Sequence, residues 1–236
     1  MDELAKAKHS NAIVHVLRKQ VDAANQLQKQ LPGWFESESA LRNLSKVFSS
    51  NTELVAVLPK AVTLNGLYNT NVLAIMKMAK HIVEVFRSQP DCANPELVNQ
   101  LARLPDIDKY FISFASKYCH FFVDSEHFAI YDSWACKALA FHHGCSRNWN
   151  LSDRNSNYPN YLAAINHLCE SSSLQCSYSE LDRYLWLKGQ QLWFEKNRDV
   201  DPQKRIISME MWDLYENPAK FNAQNLLDQL INQGHA

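Results

Sequence analysis

Glycine is scarce in this chain, five in 236 residues, and prolines number eight. So few backbone breakers leave little material for the tight turns of an all-β fold and favour long helices. An excess of charge is also missing. The formal net charge is −1, so no global basic field marks a binder of polyanions, and any nucleic-acid contact has to come from a local patch. No apolar run approaches the roughly 20 residues that span a bilayer. Residues 1–11 are polar and charged rather than leader-like, so no membrane role is expected. The six cysteines, Cys92, Cys119, Cys136, Cys145, Cys169 and Cys176, form no CxxC pair. That spacing reads as reduced thiols in a cytoplasmic protein, not as a disulfide framework or an iron-sulfur loop.

What is present is a globular balance, 46% hydrophobic and 21% charged, unlike the composition of a disordered chain. The length suits one folded unit, expected as a single domain over residues 1–236. Apolar residues recur at helical spacing over 2–30, 39–48, 71–87, 94–104, 116–122, 133–143, 161–170, 179–194 and 222–233. Leu31-Pro32-Gly33 breaks the first of these from the second. Asn94-Pro95 reads as a helix start, Asp132 as the cap of the helix that opens at Ser133, and Ser177 or Ser179 as the cap of the next-to-last. The polar stretch 144–159 reads as a surface loop. No alternating strand pattern appears, so the expected class is all-α.

Two segments carry chemistry. One is Phe111-Ile-Ser-Phe-Ala-Ser-Lys117-Tyr-Cys-His-Phe-Phe122, followed by Phe128-Ala-Ile-Tyr-Asp132-Ser-Trp-Ala135. The other is Thr63-Leu-Asn-Gly-Leu-Tyr68-Asn-Thr-Asn71-Val-Leu-Ala-Ile-Met76. The first resembles the core of the helix-hairpin-helix DNA glycosylases, in particular a divergent branch similar to the 8-oxoguanine glycosylases. The second resembles the polar loop with which those enzymes fill the gap left by a flipped base. A weaker likeness lies in Glu180-Leu-Asp-Arg-Tyr-Leu-Trp186-Leu-Lys-Gly189.

The resemblance implies a two-lobed helical bundle with a central hairpin over 94–122, a catalytic loop and helix over 123–143, and an active-site cleft between the lobes. It makes Lys117 the lysine of the second hairpin helix and Asp132 the catalytic carboxylate. Asn69, Asn71 and Tyr68 become the wedge in DNA, Ser113, Ala115 and Ser116 the hairpin residues near phosphate, and Trp186 the residue against the base. In the family that hairpin carries Gly-x-Gly, whereas here no glycine lies between Gly66 and Gly144. The partner implied is double-stranded DNA with a modified base, bound by a monomer without metal or cofactor. The base is a damaged one in repair or a hypermodified phage base in antiviral defence. Lys109, Lys117 and Lys137 are the cations expected to form a basic strip near the cleft.

The residue types suit that reaction. An aspartate supports the cationic sugar as the glycosidic bond breaks, and a neutral lysine attacks the sugar carbon to give a Schiff base. Each residue also has a plainer role: Asp132 as a helix cap, Lys117 as a solvated lysine, Asn69 and Asn71 as turn residues, Trp186 as packing. His120, His142 and His143 do not converge at metal-ligand spacing. Two other function classes stay open: a helical DNA-binding module without catalysis, and a helical interaction protein whose likeness to the glycosylases is fortuitous.

Overall fold

The computed structural model describes residues 13–88, 93–144 and 158–231. Cys92, Cys145, Trp149, most of the expected loop 144–159 and both ends of the chain lie outside these. The described residues form α-helices with no strand: α1 (Arg18–Gln30), α2 (Pro32–Val47), α3 (Leu54–Tyr68), α4 (Ile75–Ser88), α5 (Glu96–Ala102), α6 (Ile112–Phe122), α7 (Ser133–His142), α8 (Tyr158–Ser171), α9 (Tyr178–Lys196), α10 (Met209–Glu216) and α11 (Gln224–Ile231). The all-α class expected from the scarcity of glycine is therefore found.

Several local differences have physical reasons. Pro32-Gly33 ends α1, and Pro32 also opens α2 at its first position, where its missing N–H is not needed and its fixed φ suits the helix. Helix α2 thus starts seven residues before the expected 39. Helix α3 was not anticipated, because Pro59 stands inside it and a proline within a helical run reads as a break. Tertiary packing overrides that penalty: Val57, Ala61 and Leu64 of α3 are fully buried, and the helix lies against α2, α4 and α6.

Two sets of helix contacts can be followed, joined to each other through α2 and α8. In one, α3 lies on α4 and α6, and α5 lies on α6. In the other, the long helix α9 runs along α1 and α7, with α10 and α11 covering its later part. At Gly189 α9 comes very close to α7: an added Cβ would sit 2.1 Å from the carbonyl oxygen of Trp134. Only a residue without a side chain lets α9 meet the first turn of α7.

Candidate functional site

Helices α5 and α6 are joined by a tight connection over 103–111, pinned by an antiparallel bridge between Arg103 and Tyr110 and by the Phe111 amide donating to the Ala102 carbonyl at 2.9 Å. The expected hairpin at 112–116 is instead the first turn of α6. The left-handed residue of the true turn is Asp106, φ 60°, and aspartate is among the few non-glycine types that adopt this geometry readily. Ala115 and Ser116 are fully buried, so neither can approach a phosphate. Ser113 is partly exposed and holds the lysine: Lys117 Nζ donates to Ser113 Oγ at 2.9 Å.

Between α6 and α7 the chain passes through Phe128, Ala129, Ile130 and Tyr131, all buried and without a sheet to pair them. Buried carbonyls left unpaired cost about 1–3 kcal/mol each, and side chains satisfy these. His120 Nδ1 donates to the Phe128 carbonyl at 2.7 Å, the Tyr158 hydroxyl to that of Ala129 at 2.8 Å, and the Tyr161 hydroxyl to that of Ile130 at 2.7 Å. Ser116 Oγ accepts from the Tyr131 amide at 3.0 Å. Because a carbonyl only accepts, His120 carries its hydrogen on Nδ1, and Nε2 accepts from the Ser179 hydroxyl at 3.1 Å. Burial pushes the imidazole pKa down to about 4, so it is neutral.

This braced segment delivers Asp132 to the start of α7. There one carboxylate oxygen, Oδ1, accepts from the amides of Trp134 and Ala135, each at 2.9 Å, which caps the helix. The other oxygen, Oδ2, faces Lys117 Nζ at 3.8 Å. The cap and the ion pair are therefore not alternatives, since each uses a different oxygen. Lys117 is 3% exposed, and its Nζ also lies over the ring of Tyr68, 5.6 Å from the centroid.

Both residues line a cavity of about 780 Å³. Tyr68 lines it too, but packed on Phe121 with centroids 5.8 Å apart and only partly exposed, so it is part of the wall and does not project as a wedge. Asn69 and Asn71 are exposed at the cavity edge, both left-handed with φ 48° and 56°. The Asn65 side chain secures their loop, accepting from the Val72 amide and the Thr70 hydroxyl. The most exposed apolar residue of that loop is Leu73, at 96%. On the far side α9 contributes Asp182, Trp186 and Gln190, and Trp186 packs on Trp34 with centroids 4.4 Å apart.

Asp182 is the site residue that the sequence reading passed over. Its signal is the spacing: Asp182, Trp186 and Gln190 follow at four-residue intervals, which puts them on one helix face. Burial first, then the charge of Asp132, raises its carboxyl pKa well above the usual range. The basic and acidic residues lining the cavity are Lys109 and Lys117 against Asp132, Asp182 and Glu210. The expected basic strip is not found there. Lys137 lies outside the lining, over the Trp134 ring at 4.9 Å, and Lys109 Nζ donates to the Asn71 carbonyl at 3.1 Å.

Among the described residues no group of three or more His, Cys, Asp or Glu side chains is arranged to hold a metal ion. His142, like His120, has both ring nitrogens in use, Nδ1 on the Val14 carbonyl and Nε2 accepting from Tyr184. No described helix is long and apolar enough to cross a membrane.

Comparison with known proteins gives a family model, HI_0787_N, described as an N-terminal domain, that matches residues 16–126. An uncharacterized protein of Haemophilus influenzae is 32% identical over 148 residues, covering 57% of this chain. The match spans 66% of that relative's length, just under two thirds. No solved structure matches the chain.

Proposed function

We propose that this protein is a DNA glycosylase of the helix-hairpin-helix type that flips a modified base into the cavity and breaks its glycosidic bond, with strand-cleaving lyase activity. The observation that carries the reading is the Lys117–Asp132 pair, Nζ to Oδ2 3.8 Å, at the wall of a cavity of about 780 Å³. That volume is in the range of sites for small organic groups, roughly 300–1,000 Å³. Support also comes from the tight α5–α6 turn that ends in the lysine-bearing helix, and from the asparagine loop at the cavity edge. In this reading the two helix groups are the two lobes and the cavity is the cleft between them. The protein acts as a monomer in the cytoplasm, on a damaged base or on a hypermodified phage base.

The chemistry follows from the pair. As the bond to the base breaks, positive charge grows on the sugar, and the fixed Oδ2 of Asp132 offsets it. The Asp132 cap keeps that oxygen aimed without reorganisation. Lys117, once it has given up a proton, attacks the sugar carbon and forms a Schiff base. Ser113, one helical turn earlier, fixes the amine by its hydrogen bond.

The test is borohydride trapping on duplex DNA with an abasic site, alongside release of bases from duplexes carrying oxidised, alkylated, deaminated and glucosylated bases. Wild type is expected to give a covalent adduct that Lys117→Gln does not form. Base release is expected to drop by orders of magnitude in Asp132→Asn. Adduct and release both absent from wild type would rule the reading out. A second reading is favoured by the lining, where the two lysines, Lys109 and Lys117, do not outnumber the acidic side chains, because duplex phosphates are held by cations. In it the same pair cleaves a free nucleoside. Release from nucleosides but not from duplexes would select it.

A further inference from the structure

Asp182 is a carboxyl that the Lys117–Asp132 pair does not use, although it lines the same cavity. The residue is partly exposed, yet its Oδ1 is cut off from solvent and has no hydrogen-bond partner among the described residues. The groups that face it are Glu38 on α2, Tyr68 on α3, Lys117 on α6, Asp132 at the start of α7, Tyr161 on α8 and its own neighbour Arg183. Both nearby cations are committed elsewhere. Arg183 bridges Glu38 at 2.7 Å and donates to Asn25 at 2.6 Å, while Lys117 is held by Ser113 and Asp132. Asp182 is left without a counter-ion, beside a second carboxylate and against a largely aromatic wall. In such a place a carboxyl keeps its proton, because burying an unpaired charge costs far more than burying the neutral acid.

We propose that Asp182 is the general acid of base release, giving its carboxyl proton to the departing base. The role rests on the glycosidic-cleavage reading above. As the bond between the sugar carbon and the base nitrogen breaks, its electron pair goes to the base. The base takes the Asp182 proton onto a ring nitrogen or carbonyl oxygen and leaves neutral, and Asp182 is left as carboxylate. The sugar carbon is captured by Lys117 Nζ or by water, the excess proton of that nucleophile leaves to solvent, and Asp182 is reprotonated before the next turnover. The two carboxyls thus divide the work by environment. Asp132, with two amides on one oxygen and an ammonium near the other, serves as the anion, and Asp182 serves as the acid. Trp186, one turn further along the same face, places an aromatic ring beside the proton donor.

The experiment compares wild type with Asp182→Asn on three duplexes: one with 8-oxoguanine, whose base departs as an anion unless protonated; one with N7-methylguanine, already cationic; and one with an abasic site. Asp182→Asn is expected to slow release of the neutral base about 100-fold or more, to change release of the cationic base only a few-fold, and to leave borohydride trapping on the abasic duplex unchanged. Equal slowing of both bases, or no slowing of the neutral one, overturns the acid role while leaving the glycosylase reading in place. A wild type that neither traps nor releases overturns the glycosylase reading, and the acid role with it. A further measurement does not depend on turnover or on how the variant folds. Wild-type carbon NMR with labelled aspartate is expected to show one carboxyl still protonated at neutral pH. Finding every aspartate ionised overturns the proposal.

Discussion

The wall segment 128–135, which lines the cavity through residues 130–134, and the rim loop 69–73, which lines it through residues 69–71, are held in different ways. Along the wall, three carbonyls in succession are taken by side chains from α6 and α8, and Asp132 is fixed by two amides. The rim hangs mainly on one side chain, Asn65, with two left-handed asparagines and a leucine almost fully in solvent. Residues 128–131 of the wall are buried and bonded at successive carbonyls, which suits the fixed spacing that the proposed reaction needs. The rim spends little on internal contacts and keeps its polar and apolar groups outward, as a surface that meets a partner does.

The comparison breaks most sharply at Gly189. In Gly189→Ala the new Cβ would overlap the Trp134 backbone, so α9 and α7 have to part. Thermal or urea unfolding is expected to show a loss of about 3 kcal/mol or more, at or beyond the usual range for overpacking. An unchanged midpoint would mean that the wall gives way more easily than its bonds imply.

Acid is the next lever. His120 and His142 are buried, and burial lowers each pKa from 6.5 to about 4. Below pH 6.5 the unfolded chain binds protons that the folded one refuses, so the stability they contribute is present above pH 6.5 and is lost as pH falls towards about 4. The loss is on the order of 3 kcal/mol for each histidine. Denaturant midpoints measured from pH 7 to 4 are expected to fall less steeply in His120→Asn, whose amide still donates to Phe128. Parallel curves for the two proteins would contradict the neutral tautomer assigned to His120.

A smaller effect separates the two oxygens of Asp132. Asp132→Ala removes the cap and is expected to cost about 1 kcal/mol of stability, while Asp132→Asn keeps an acceptor for the α7 amides and costs less. Both lose the charge facing Lys117. Calorimetry that finds the two variants equally stable would show that the cap is idle. The smallest change in stability is expected on the rim. Leu73→Ala should unfold within about 0.5 kcal/mol of wild type and yet bind an abasic duplex more weakly in a salt titration; unchanged affinity would remove the rim from the contact surface.

The helical class was legible because glycine is rare and apolar residues recur at helical spacing. Asp132 as a cap was legible because a short acceptor before Ser-Trp-Ala is a local signal, and so was the Ser177 cap of α9, completed by Glu180. The pairing of Lys117 with Asp132 came from the order of motifs, and the structure puts the two in contact range. Residues 113–116, expected in the hairpin, lie in the first turns of α6, and the connection before that helix turns at Asp106, an aspartate at positive φ. Asp182 was overlooked because one acid in a mixed helix looks solvated until the fold shows what covers it. Lys137 was expected near the cleft from proximity in sequence alone, and α7 turns it to another face.

The hydroxyls that brace the wall come from Tyr158 and Tyr161, residues made after the segment they hold. During synthesis, a chain that has left the ribosome only as far as α7 carries the lysine and the aspartate but not the frame that spaces them. The stretch over 16–126 matched by the family model ends even earlier, six residues short of Asp132. A chain that ends before Tyr158 therefore lacks two of the three side chains that hold the carbonyls of residues 128–130.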